Sequence, residues 1–270
     1  MRAGVIGLGN MGSALAAGLL NGETLKPEQL LLVNRSSEKV EAFRLRYPGV
    51  RAARNNKELA ESCEIIFVCT RSGEVPAVLR EISPVRHGAH VIMVNAGLDL
   101  SAIESACQGA ASKLIPSVTM EIGRGVSLVC HGKNVSAAQK ADLEMMLGSA
   151  SMVKVVPEGD LNAATELTSC GPALMAEMMH QFSMAGVRHG GFDEDEAWAM
   201  VLETLVGTAL TLEKGVTVED IKGRVATKGG ITEQGLKVLT AELPAVMDHM
   251  MMVTMAKQAS VHGELTKRLV

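Results

Sequence analysis

Aromatic residues are nearly absent: 2% of 270 residues, with one Trp, one Tyr and four Phe. The interior must therefore be built from Leu, Val, Ile, Ala and Met, and a hydrophobic fraction of 47% is enough for a sizeable core in one large or two modest domains. The 17 Met favour adaptable helix–helix packing. The five Cys (63, 69, 107, 130 and 170) form no C-x-x-C, and Cys130-His131 is the one adjacent ligand pair. That argues against a zinc ribbon or a disulfide framework, so no metal is expected and the thiols suit a reducing compartment. A basic field is missing too. The net charge is −4 and no Lys/Arg cluster exists, which excludes nucleic acid as the expected partner. No uncharged apolar run approaches the roughly 18 residues of a membrane span. The Met-rich stretch Pro244–Ala256 carries Asp248 and His249 and reads as a buried interface helix. With no basic and apolar leader at the start, a cytoplasmic location is expected.

What the chain does have is Gly7-Leu8-Gly9-Asn10-Met11-Gly12 between an apolar run, Arg2–Ile6, and a helical run, Met11–Leu20. A G-x-G-x-x-G gains meaning in this strand–turn–helix setting. The first glycine permits the tight turn, the second lets the backbone approach a pyrophosphate, and the third lets helix and strand pack closely. The N–H groups of the helix start then face the anion.

Downstream, strand-like and helical runs alternate. Strands are expected at Arg2–Ile6, Leu30–Asn34, Ile65–Cys69, His90–Val94, Lys113–Ile115, Val126–His131 and Met152–Val156. Helices are expected between them, one with Ser136 as its N-cap. Such alternation builds a parallel, doubly wound Rossmann-type sheet. After Pro157-Glu158-Gly159 the strand-like runs vanish. Helices are expected over Leu161–Leu167, Pro172–Arg188, Glu194–Lys214, Val218–Val225, Ile231–Ala241 and Pro244–Leu265. The reading is thus α/β: a dinucleotide-binding domain over 1–157 and an all-α dimerisation domain over 158–270.

The end of the second strand selects the dinucleotide. An acid there binds the ribose 2′-hydroxyl of NAD, whereas a base accommodates a 2′-phosphate. Here the residues are Asn34-Arg35-Ser36-Ser37, with no acid before Glu38. Arg35 offers charge-assisted bonds and the serines offer hydroxyls at a helix start, so the cofactor expected is NADP. The alternative is a solvated Arg35 beside an ordinary helix cap.

A second constellation is Thr227-Lys228-Gly229-Gly230-Ile231-Thr232. Two glycines before a helix start expose several N–H donors, a nest for a carboxylate, with the Thr232 hydroxyl on the first turn. An ordinary glycine connection with Thr232 as a cap is the competing reading.

The glycine motif, Cys170-Gly171-Pro172-Ala173 and Val225–Thr232 followed by Gly235-Leu236-Lys237-Val238-Leu239 together resemble the pyrroline-5-carboxylate reductase family, the last enzymes of proline biosynthesis. The resemblance spans nearly the whole length. It implies a Rossmann domain, a helical domain that dimerises by interleaving, homodimers or rings of dimers, and active sites to which a partner can contribute. Position by position, it implies that Gly7 to Gly12, Asn34, Arg35, Ser36 and Asn56 hold NADP. Cys69-Thr70-Arg71 lies where the family has Ala-Val-Lys beside the cofactor, and Asn95-Ala96-Gly97 where it has Ala-Ala-Gly near the nicotinamide. Gly229, Gly230 and Ile231 would bind the substrate carboxylate through backbone N–H groups, and Thr232 would bond the ring nitrogen as the catalytic residue.

Departures from the family pattern cluster around the substrate. They are Ile115-Pro116-Ser117-Val118-Thr119 for Met-Pro-Asn-Thr-Pro, Thr168-Ser169-Cys170 for Ser-Gly-Ser, Ile231 for a threonine, Glu166 for a small residue and His180 for an acid. Arg224 also replaces an Asn. They resemble the ComER-like, competence-associated branch. The expected reaction is hydride transfer from NADPH to the C=N bond of a small cyclic imino acid. The alternative is an NADP-binding regulatory protein with altered or lost catalysis. A β-hydroxyacid dehydrogenase has a similar opening but uses a Lys that this chain lacks between Lys154 and Lys214. Three polar residues carry open readings. Glu166 is an acid, an amine partner or an exposed helix carboxylate. His180 titrates or packs. Arg224 clamps a carboxylate or closes a helix.

Overall fold

The computed structural model describes residues 1–83, 88–94 and 97–269, with side chains described up to 260. By internal contacts the chain divides into two units, Met1–Pro172 with Thr254–Val270, and Ala173–Val253.

Among the described residues of the first unit, eight strands form one sheet in the order β3-β2-β1-β4-β5-β6-β7-β8. They are β1 (Ala3–Ile6), β2 (Leu30–Val33), β3 (Arg51–Ala52), β4 (Ile65–Val68), β5 (His90–Met93), β6 (Ala111–Ile115), β7 (Val126–His131) and β8 (Met152–Val155). The helices between them are α1 (Asn10–Asn21), α2 (Ser37–Arg46), α3 (Asn56–Ser62), α4 (Val75–Ile82), α5 (Leu100–Cys107) and α6 (Ala137–Gly148). β1, β2, β4 and β5 are buried along their whole length, which is why they read as unbroken apolar runs. Alternate residues feed opposite layers. Ala3, Val5, Ile65 and Phe67 join a core with α1 and α6, while Ile6, Ile66 and Val68 join a second core with α3, α4 and α5. Strand order reverses between β1 and β4, and the crevice at such a switch point is where open α/β sheets bind ligands.

The expected doubly wound sheet is present, with two differences. The pairing β6–β7 is antiparallel, with Ser112 opposite His131, so the sheet is mixed. The short connection between them, residues 116–125, holds only a 3-10 turn, Val118–Ile122, too little for a parallel crossover. The two-residue β3 carries only exposed residues and had no apolar signature to read.

The antiparallel register builds a polar chain inside the sheet. The His90 ring bonds the Ser112 hydroxyl at 2.8 Å, Ser112 bonds His131 Nδ1 at 2.8 Å, and His131 Nε2 meets the Glu144 carboxylate at 3.1 Å. A carboxylate only accepts, so neutral His131 carries its proton on Nε2, Ser112 donates to Nδ1, and His90 Nε2–H donates to Ser112. Burial, then the neighbouring His131, lowers the His90 pKa from 6.5 to about 4. His90 therefore stays neutral when folded but takes a proton when unfolded. Stability is complete above pH 6.5 and is lost as pH falls toward about 4, by on the order of 3 kcal/mol for this residue. Urea midpoints measured between pH 7.5 and 4.5 should fall more steeply in the wild type than in His90→Asn. Equal slopes would contradict the assignment.

Beyond β8 the chain is helical. α7 (Leu161–Thr165) passes through a π-helical turn, Glu166–Cys170, straight into α8 (Gly171–His189). The break expected between Leu167 and Pro172 is absent, because Pro172 falls in the first turn after the π segment and its missing N–H is absorbed there. In the second unit α9 (Glu194–Glu213) is capped by Asp193, which accepts from Glu196 N at 2.8 Å, and α10 (Val218–Val225) is capped by Thr217. α11 (Ile231–Leu269) runs unbroken through Pro244, where two helices were expected. One proline removes a single backbone bond, and the strong helix formers around it carry the helix across. Phe182, Met200, Leu205, Leu210, Val246 and Met252 of this unit are exposed. So broad an apolar surface is what a partner surface covers.

Candidate active site

The cofactor site begins at the end of β1. Gly7 adopts φ +99°, and its N–H donates to the Val33 carbonyl at 2.9 Å. A Cβ here would stand 2.9 Å from the Cys69 carbonyl oxygen, so the turn requires glycine. Leu8 N–H donates to Asn34 Oδ1 at 3.0 Å, tying the turn to the end of β2. Gly9 is the N-cap of α1, with no side-chain cap and no acid in the first turn. The first amides of α1 thus lack intrahelical acceptors and face outward as an anion site. A Cβ on Gly9 would meet nothing within 4 Å, whereas one on Gly12 would run into the Gly7 carbonyl oxygen. The three glycines therefore serve three different needs: backbone sign, open approach and close packing.

These elements border a cleft of about 870 Å³ lined by Gly7, Gly9, Asn34, Arg35, Ser36, Asn56, Cys69, Thr70 and Arg71. Leu8, Asn10, Met11 and Gly12 continue the same turn and helix start. Asn95 and Ala96 lie outside the described residues. Among the described residues the Thr70 hydroxyl is buried without a hydrogen-bond partner, an unmet polar group of the kind a bound dinucleotide satisfies. Burial pushes the Cys69 thiol well above its usual range, which makes it a neutral wall of the cleft. The open space over Gly9, the unpaired Thr70 and the basic side chains together fit a dinucleotide.

Sequence reading missed several groups of this cleft. Lys39, one turn into α2, and Arg54, after β3, join Arg35 in lining it. Arg35 forms an ion pair with Glu74, Arg54 with Glu58 at 2.9 Å, and Asn56 donates to Glu81 at 2.7 Å. Lys39 stands four residues after Arg35 in the first turn of α2, a signal of spacing that was available. Arg54 depends on where β3 ends, which was not.

In the second unit, considered alone, Gly229 adopts φ +75° and its N–H donates to Glu233 Oε2 at 2.8 Å. Gly230 N–H donates to the Thr227 carbonyl at 2.8 Å, and Ile231 is almost fully exposed. The turn thus already holds one carboxylate on a glycine amide, and Glu233 was not anticipated as its occupant. Thr232 lies exposed on the first turn of α11. Arg224 closes the last turn of α10 and lines a groove of about 360 Å³ with Thr204, Thr208 and Thr211. His180 is exposed on α8. Glu166 differs from the exposed carboxylate considered above: it is only 2% accessible. Among the described residues no group of His, Cys, Asp and Glu could hold a metal ion, and no helix is long and apolar enough to cross a membrane.

Comparison with known proteins agrees with this geometry. A family model described as pyrroline-5-carboxylate reductase dimerisation matches residues 158–261, and one described as NADP oxidoreductase, coenzyme F420-dependent, matches residues 2–97. The Bacillus subtilis protein named pyrroline-5-carboxylate reductase 3 is 32% identical over 268 residues, covering 98% of each chain. ComE operon protein 4 of the same organism is 27% identical over 241 residues, 88% of each chain. Both the reductase and the ComE operon protein thus match the chain over most of its length. The crystal structure of Plasmodium falciparum pyrroline carboxylate reductase, with NADP bound, has a TM-score of 0.85 at 25% identity, covering 97% of this chain and 98% of its own. On the length and identity of these matches, the chain belongs to the pyrroline-5-carboxylate reductase family.

Proposed function

We propose that this protein is an NADPH-dependent reductase that transfers a hydride to the C=N bond of a small cyclic imino acid. The observation that carries the reading is the uncapped, glycine-lined start of α1 in a chain of this family. The cofactor residues are Gly7 to Gly12, Asn34, Arg35, Ser36, Asn56, Cys69, Thr70, Arg71, Asn95 and Ala96. When bound, NADPH supplies the hydride from C4 of its nicotinamide. Arg35 exchanges Glu74 for the 2′-phosphate, with Lys39 and Arg54 adding positive charge.

The substrate carboxylate takes the place of the Glu233 carboxylate on Gly229 N–H, Ile231 N–H completes the cradle, and Gly230 N–H joins it on releasing the Thr227 carbonyl. The Thr232 hydroxyl bonds the ring nitrogen and passes it a proton, directly or through water. Holding the reacting carbons close and aligned supplies most of the rate. The working unit is a homodimer, or a ring of dimers, whose apolar helical faces cover one another. The place of action is the cytoplasm, in proline biosynthesis.

An NADPH-oxidation screen over pyrroline-5-carboxylate, pyrroline-2-carboxylate and piperideine carboxylates tests this, run beside NADH. Turnover that prefers NADPH is expected. Tight NADPH binding with no oxidation of any imine would favour a regulatory role, and equal rates with NADH would refute the part given to Arg35.

A further inference from the structure

Glu166 is the first residue of the π-helical turn between α7 and α8. It is 2% exposed, and the Gln258 side-chain amide donates to its Oε1. Among the described residues its Oε2 is buried with no partner, and so is Gln258 Oε1. Beside the Gln258 amide, the donor next to Glu166 among the described residues is the Cys170 thiol, a weak one, so the two buried acceptor oxygens lack a strong donor. Among the described residues no cationic side chain pairs with Glu166. An unmatched carboxylate in such a place calls for a ligand that donates, and a cationic N–H answers both oxygens best.

The placement suits the reaction. In the same turn the Ser169 hydroxyl donates to the Pro116 carbonyl at 3.0 Å. Pro116 follows directly on β6, at the strand ends where this sheet class receives its ligands. π turns of this kind recur at functional sites because they re-aim side chains out of helical register. Burial, then the adjacent Glu166 charge, raises the Cys170 thiol pKa, so the neighbour in the turn adds no competing charge.

We propose that Glu166, oriented by Gln258, accepts the N–H of the protonated ring nitrogen, in the iminium substrate and in the ammonium product. This rests on the imine-reductase reading and extends it. The carboxylate keeps the nitrogen protonated and the C=N carbon electrophilic. Hydride adds to that carbon, the C=N π pair moves onto nitrogen, and the neutral amine takes a second proton from water. The product then carries two N–H bonds, one of them held by Glu166.

The test measures binding to the NADP⁺-loaded full-length protein by calorimetry, with L-proline and its uncharged isostere tetrahydrofuran-2-carboxylate. The wild type should prefer the ammonium by about 10-fold or more, as expected for one charge-assisted bond. Glu166→Gln should erase that preference, Glu166→Asp should retain part of it, and NADPH affinity should stay unchanged in both. In turnover, Glu166→Gln should lose kcat/KM increasingly as pH rises and the free imine becomes neutral. An unchanged preference in Glu166→Gln, or none in the wild type, overturns the proposal. Failure of the underlying reading is distinguishable, because it shows as no imine-dependent NADPH oxidation by the wild type.

Discussion

Gly9→Ala should fold and melt like the wild type yet bind NADPH about 100-fold more weakly, because one methyl group then stands between the backbone and the pyrophosphate. The argument depends on what surrounds the residue. Gly9 has φ −79° and ψ −174°, which alanine adopts without strain, and a Cβ there meets nothing within 4 Å. The protein therefore gives no structural reason for glycine at this position. The space is kept open for something that approaches the first turn of α1. Gly12→Ala is the control in the opposite sense. Its Cβ meets the Gly7 carbonyl oxygen and lies 3.0 Å from the Cys69 Cβ, so it should destabilise the fold itself. Fluorescence titration of NADPH beside thermal melts separates the two. A Gly9→Ala variant with full NADPH affinity would remove the cofactor from α1.

Thr232→Ala should lower kcat by ~10²–10⁴, the range for a positioned proton donor, while leaving NADPH affinity and thermal stability close to wild type. Its hydroxyl makes no hydrogen bond among the described residues and its side chain is exposed, so the substitution removes nothing that holds the helix. Thr232→Ser keeps the hydroxyl and should restore most of the rate. The split matters because the carboxylate cradle is made of main-chain amides that Thr232→Ala leaves in place. KM should therefore change far less than kcat. Wild-type kcat in Thr232→Ala would remove the catalytic part given to Thr232.

The parts of this molecule legible in the sequence are those whose physics is local. Gly7, Gly9 and Gly12 lie within six residues, and each has a separate steric role that spacing alone exposes. The β1, β2, β4 and β5 strands declared themselves as apolar runs because both sheet faces are covered. The Ser136 cap was readable from the Gln three residues on, and its hydroxyl does accept from Gln139 N, at 3.3 Å. What escaped depends on residues distant in sequence. The interior position of Glu166 follows from Gln258, 92 residues away, and helical periodicity cannot report it through a π turn that shifts the register. The antiparallel β6–β7 pairing depended on a connection too short for a helix. Pro244 looked like a stop, yet one missing N–H did not outweigh the helix formers around it. Glu233 holds the Gly229 amide four residues away, a local contact that the glycine pattern alone does not reveal.

The most direct test of the account uses NADPH deuterated at C4 of the nicotinamide, with each cyclic imino acid in turn, followed by mass spectrometry and NMR of the product. The account predicts a cyclic amino acid bearing one deuterium on the carbon that was double-bonded to nitrogen. Unlabelled or absent product from a protein that binds NADPH would contradict it, as would deuterium delivered only to the carbonyl carbon of an oxo acid.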